Sequence, residues 1–122
     1  MVAMTLDEIA IKHNCDKSSL GHDYCRIYER YLKGIDEVPM TLLEIGYGGY
    51  DDPNAGGESA KMWLEAYPGD RVIMLDIYPK SNIPDGVIFI NQRAEFLNID
   101  GQDVNIIIDD GSHINADIIA TF

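Results

Sequence analysis

The chain has 122 residues, of which 46% are apolar and 25% charged, enough for one domain with a core and too apolar for a disordered segment. Its formal net charge of -12 and pI near 4.3 argue against nucleic acid as a general partner, because backbone phosphates need Lys and Arg to displace their counterions. An anionic membrane surface is disfavoured for the same reason.

Cys15 and Cys25 have neither zinc-type spacing nor the density of a disulfide scaffold, so both read as free thiols. No basic-then-apolar leader opens the chain, and no apolar run reaches the roughly eighteen residues of a membrane span. A cytoplasmic, reduced protein is the expectation.

The chain opens with Thr5-Leu6-Asp7-Glu8, a capping-box pattern, and Leu6, Ile9 and Ala10 give the following helix one apolar stripe. Residues 14–21 are polar and turn-rich. From His22 to Lys33, Tyr24, Ile27, Tyr28, Tyr31 and Leu32 recur at helical spacing, and Gly34 stops the helix. Those tyrosines read either as a buried stripe or, in part, as hydroxyls reaching a polar ligand.

Thr41 to Ile45 is a short apolar run of the kind that forms a buried parallel strand. It ends in Glu44-x-Gly46-x-Gly48, where the backbone turns with no side chains in the way. A loop of this kind at the carboxyl end of a strand is the usual ligand site of a doubly wound sheet. In a dinucleotide site the sixth position of the glycine pattern faces a pyrophosphate; here it is Asp51, followed by Asp52. The acids disfavour a nicotinamide cofactor and suit a cationic or zwitterionic ligand such as S-adenosylmethionine.

A helix is expected from Glu58 to Tyr67, with Ala60, Trp63, Leu64 and Tyr67 on one face, Trp63 in the core and Pro68-Gly69 as the stop. Arg71 to Ile77 reads as a second buried strand. Asp76, near its end, stands where a nucleotide fold places an acid on the ribose, with turn-capping as the alternative. Val87 to Ile90 is a third strand, Ala94 to Leu97 a short helix, and Val104 to Ile108 a fourth strand. That last strand runs into Asp109-Asp110-Gly111-Ser112-His113. Two carboxylates and a histidine offer oxygen ligands for a hard cation plus a general base, or else caps for a helix beginning near Ile114. The order of elements makes this an α/β chain with a parallel sheet, a helical segment at 1–36 preceding a nucleotide-binding unit at 37–122.

With these residues assembled, the chain resembles the class I S-adenosylmethionine-dependent methyltransferases, and among them the Mg-dependent macrolide sugar O-methyltransferases of the mycinamicin and demethylmacrocin type. The stretches that carry the resemblance are DKSSLGHDYCRIYERYL, LLEIGYGGYDDPNAGGESAKMW, VIMLDIY and IIIDDGSHINA. The resemblance implies a Rossmann-like sheet in strand order 3-2-1-4 behind N-terminal helices. It implies methyl transfer to a hydroxyl of a small molecule such as a sugar, with S-adenosylmethionine and Mg²⁺ as cofactors. Carried over by position, Glu44, Gly46 and Gly48 line the methionine end of the cofactor, Asp76 holds the ribose, and Asn91 and Gln92 contact the adenine region. Asp110 is the magnesium ligand and His113 the base. Asp109, Lys17, His22, Tyr24 and Tyr28 fall near cofactor or substrate.

The resemblance stops where the chain stops, shortly after His113, whereas family members continue through a fifth strand whose acids complete the metal site. The 122-residue chain alone is therefore expected to bind metal weakly and to transfer little, and the free edge of the fourth strand is expected to recruit a second copy. A non-catalytic binding or assembly module that keeps the fold is the competing expectation.

Overall fold

The computed structural model describes residues 4–32, 40–93 and 104–109. Among the described residues, three helices, α1 (Leu6–Lys12), α2 (Cys25–Leu32) and α3 (Glu58–Ala66), accompany four strands, β1 (Thr41–Ile45), β2 (Arg71–Asp76), β3 (Val87–Asn91) and β4 (Ile106–Asp109). The strands form one sheet in the order β3-β2-β1-β4. Every pairing is parallel, with Ile45 opposite both Leu75 and Asp109, and Asp76 opposite Asn91. The expected strand order is the observed one, and it brings the carboxyl ends of β1, β2 and β4 to one edge.

Side chains alternate across a strand, so the apolar runs of β1 and β2 serve two cores at once. Leu42, Val72 and Met74 join Ala60, Met62 and Trp63 of α3 and Leu6, Ile9 and Cys25 of α1 and α2 in one cluster. Leu43, Ile45, Ile73 and Leu75 form a second cluster, joined by Ile90 and Val104. All five residues of β1 are buried, as its place between two partners requires. Glu44 faces the helices and is fully buried among them.

The capping box forms as the sequence predicts: Thr5 Oγ1 accepts from Glu8 N at 3.1 Å and Glu8 Oε1 from Thr5 N at 3.2 Å. Two further first-turn N–H groups, those of Leu6 and Asp7, donate to Glu29 Oε1 of α2 at 2.7 and 3.4 Å. The carboxylate of Asp7 in turn takes Ser19 N and Ser19 Oγ at 2.6 and 2.7 Å. Helix ends leave their first N–H groups without internal partners, and here those groups fasten α1 to α2.

Several boundaries differ from expectation: α3 ends one residue earlier, at Ala66, and β3 and β4 each end one residue later, at Asn91 and Asp109. Helix α2 begins at Cys25 rather than His22. Asp23 adopts a left-handed φ of 57°, and the N–H groups of Tyr24 and Cys25 turn back to Lys17 O at 2.8 and 3.0 Å. Strand β4 begins at Ile106 rather than Val104: Asn105 N donates to Thr41 O at 3.0 Å, but Thr41 N goes to the side-chain Oδ1 of Asn105 at 2.8 Å. Strand β2 ends at Asp76 rather than Ile77. The helix expected at Ala94–Leu97, the segment boundary at 36/37 and the helix after His113 lie outside the described residues.

Candidate functional site

At the carboxyl end of β1 the chain leaves the sheet through Gly46, whose N–H still donates to Leu75 O of β2 at 2.7 Å. It then doubles back on itself before α3, with Gly57 N donating to Tyr47 O at 3.0 Å. Gly56 shows why glycine is needed: its φ is 87°, and a Cβ there would run into the carbonyl of Gly48. The two backbone runs thus lie against each other with no side chain between them.

Between this loop and the turn after α1 lies a pocket of about 250 Å³. Residues 14–17 wall one side and residues 46–49 the other, with Glu58 and Ser59 of α3 completing the lining. Lys17, the acids Asp16 and Glu58, Ser59 and the glycine-loop main chain all line one small volume. That donor set fits the amino-acid end of S-adenosylmethionine, which carries an ammonium and a carboxylate together.

Beneath the pocket sits a buried charge network. Lys17, 2% exposed, places Nζ 3.0 Å from Glu44 Oε2 and donates to Ser59 Oγ at 2.7 Å. The other oxygen of Glu44 accepts from Trp63 Nε1 at 2.6 Å. Cys15 Sγ lies 3.4 Å from Ser59 Oγ, and burial pushes its thiol above the ordinary range against the opposing pull of Ser59 and Lys17. An ion pair this deep persists only when its members are paired and hydrogen-bonded. Glu44 is therefore turned into the core, and Lys17 is its counter-charge at the pocket wall.

Asp76 stands at the end of β2, half-buried. Its Oδ2 accepts from Tyr47 N at 2.8 Å and its Oδ1 from Tyr78 N at 3.0 Å. The carboxylate therefore caps the turn and pins the glycine loop to β2, while each oxygen retains a second lone pair. Asn91 is exposed one strand over and donates from Nδ2 to Asp76 O at 3.0 Å, with Gln92 following it. Asp109 ends β4 opposite Ile45.

The tyrosines divide. Tyr28 packs on Trp63 with ring centroids 5.5 Å apart, whereas Tyr24 is 40% exposed and stacks on His22 at 5.4 Å. Asp110 and His113 lie outside the described residues, and among the described residues no group of three His, Cys, Asp or Glu could hold a metal ion. Sequence reasoning missed Tyr47, Ser59, Cys15 and Lys80. Tyr47 sits between the two glycines of the motif, buried, its hydroxyl donating to Asn82 O at 2.8 Å. A large aromatic residue inside a glycine-rich run was the available signal for it.

No family model matches the chain. It is 34% identical over 116 residues to 8-demethyl-8-(2-methoxy-alpha-L-rhamnosyl)-tetracenomycin-C 3'-O-methyltransferase of Streptomyces olivaceus, covering 89% of this chain and 30% of that protein. Against mycinamicin VI 2''-O-methyltransferase of Micromonospora griseorubida the identity is 34% over 124 residues, 96% of this chain and 31% of the relative. The crystal structure of the MycE methyltransferase of mycinamycin biosynthesis in complex with Mg and SAH superposes with a TM-score of 0.89 at 33% identity. That match covers 99% of this chain and 32% of the other. A second MycE structure, which also holds mycinamycin VI, matches with a TM-score of 0.88 at 33% identity over 98% of this chain and 34% of the other. The chain thus spans about a third of the length of the relatives it matches, and over that third it is similar in sequence to these O-methyltransferases and in fold to the MycE methyltransferase.

Proposed function

We propose that this chain is the cofactor-binding part of a sugar O-methyltransferase, which carries a methyl group from S-adenosylmethionine to a hydroxyl of a small molecule, a sugar in the first instance. The observation that carries the reading is the pocket itself: Lys17, Glu58 and the Gly46–Gly49 backbone face one volume. Asp76 stands fixed beside it on the next strand through Tyr47. That is the layout a zwitterionic head joined to a ribose requires. Gly46 and Gly48 shape the methionine end, with Glu44 acting from beneath through Lys17; Asp76 takes the ribose, and Asn91, Gln92 and Asp109 border the adenosine. Tyr24, just before α2, and Tyr28, within it, belong to the cover over the cofactor.

In such a transfer the acceptor oxygen forms a bond to the sulfonium methyl carbon while the carbon–sulfur bond breaks, leaving S-adenosylhomocysteine. The hydroxyl proton passes to a base, for which we propose His113, with Asp110 as a ligand of Mg²⁺. A divalent cation lowers the pKa of a bound hydroxyl, and positioning supplies much of the remaining rate. No described helix is long and apolar enough to cross a membrane, and with two free cysteines the reading places the protein in the cytoplasm. It also carries self-association through the β4 edge, which a monodisperse monomer in light scattering would exclude.

Calorimetric titration of the purified chain with S-adenosylhomocysteine, with and without Mg²⁺, tests the reading, with Asp76→Ala as control. Binding is expected in the wild-type chain and a loss of at least about tenfold, roughly 1.4 kcal/mol, in the control. A folded wild-type chain that binds none would overturn the reading in favour of a non-catalytic assembly module.

A further inference from the structure

The loop that forms the glycine wall of the pocket carries, between its two glycine pairs, the segment Tyr50-Asp51-Asp52-Pro53-Asn54-Ala55. One side chain from outside gathers its backbone. Lys80 Nζ, in the connection between β2 and β3, donates to Tyr50 O at 2.7 Å, Asp52 O at 2.9 Å and Ala55 O at 3.4 Å. It also stands 5.9 Å from the ring centroid of Tyr47. The residues next to Lys80 reinforce it: Ser81 N donates to Pro53 O at 2.7 Å and Asn82 Nδ2 to Gly56 O at 3.1 Å. Three carbonyls converging on one nitrogen match the three divergent N–H bonds of an ammonium, and a planar guanidinium does not have that geometry.

We propose that Lys80 is a positioning residue for the cofactor. It holds the 50–55 segment folded back so that Gly48 and Gly49, which abut Gly56 and Ala55, keep the pocket wall in place. The proposal rests on the preceding reading of that pocket. Lys80 touches no pocket-lining volume itself; it acts through the backbone it gathers. The loop needs such a clamp because its internal bonds are sparse: Asp52 N to Gly49 O and Ala55 N to Asp52 O, each at 3.2 Å, with Asn54 N on its neighbour Asp52 Oδ1 at 2.9 Å. The six residues carry two acids and little apolar surface to hold them by burial.

The test is Lys80→Ala, read in two ways. In the ligand-free chain, amide exchange at Asp52, Ala55 and Ser81 is expected to quicken while the amides of β1 and β2 stay as protected as before. In titrations with S-adenosylhomocysteine the affinity is expected to fall about tenfold or more. Added propylammonium, which replaces the missing three carbons and ammonium, is expected to restore part of it, whereas tetramethylammonium, which has no N–H, is not. Lys80→Arg is expected to behave like the alanine variant. The proposal is overturned if Lys80→Ala binds like wild type with unchanged loop exchange. It is equally overturned if binding is lost together with protection throughout the strands and propylammonium restores nothing, since Lys80 would then support the fold at large. If the wild-type chain binds no S-adenosylhomocysteine, the reading of the pocket fails on its own, and the exchange measurement still decides whether Lys80 holds the loop.

Discussion

Trp63 and Glu44 meet at the centre of the molecule: the indole Nε1 of α3 donates to Oε1 of the β1 carboxylate at 2.6 Å, and both residues are fully buried. This bond joins the helix that follows the glycine loop to the strand that precedes it. The loop is thereby closed at its base by a side-chain contact as well as by its own backbone. With Lys17 on the other oxygen of Glu44, the turn after α1 is drawn to the same point. A single carboxylate fastens three elements around the pocket.

Trp63→Phe keeps most of the ring volume and removes the donor. It is expected to lower stability by about 1–3 kcal/mol, the cost of leaving a buried acceptor without its partner, and more if the charge is poorly screened. Urea unfolding should show a lower midpoint with an unchanged slope, because the surface exposed on unfolding is the same.

Lys17→Met leaves the Glu44 carboxylate buried beside Trp63 with its counter-ion gone, and the expected loss is about 3–5 kcal/mol. Adding Glu44→Gln to that variant removes the stranded charge, so the double variant should be more stable than the sum of the two single losses predicts. A thermodynamic cycle from denaturant unfolding measures the difference. Strict additivity would mean that the two groups are not coupled.

Gly56→Ala should cost more than an ordinary loop substitution. Its φ of 87° strains any side chain, and the added Cβ meets the Gly48 carbonyl. A loss of at least about 1–3 kcal/mol is expected, along with weaker S-adenosylhomocysteine binding, because Gly48 must move. Gly69→Ala is the matched control. Nothing lies within 4 Å of a Cβ there, so the thermal midpoint should change by no more than about 0.5 kcal/mol equivalent.

Cys25 is fully buried at the start of α2, its sulfur 3.8 Å from Met62 Sδ, and burial pushes its thiol from 9.0 to about 12. Between these values the unfolded chain gives up the proton while the native chain keeps it. The unfolded state then binds fewer protons, and stability must fall as pH rises from 9 towards 12. Cys25→Ala should flatten this alkaline decline in unfolding measured across that range. In the wild-type chain a chromogenic disulfide reagent should reach the thiol only as the protein unfolds.

The local pattern alone determined the elements and their kind. Thr5 and Glu8 are neighbours on one turn, the apolar runs at 41–45 and 71–77 have strand length, and the glycines around 46–57 leave the backbone little else to do but turn. Those signals depend on residues a few positions apart, so sequence displays them. What Glu44 does was not legible there. Its partners, Lys17 and Trp63, lie 27 residues before it and 19 after it. Only the packing of the turn after α1 and of α3 on β1 decided that the carboxylate is an interior anchor instead of an open pocket wall. Of the two readings the sequence allowed for Asp76, an acid on the ribose and a turn cap, the cap is the one the tertiary structure displays, because Tyr47 N arrives from another loop. Lys80 is the clearest case. Nothing local marks it among the chain's nine Lys and Arg residues. Its three acceptors are carbonyls 25 to 30 residues earlier in the chain, and main-chain groups carry no signature in sequence until tertiary structure aims them at one point.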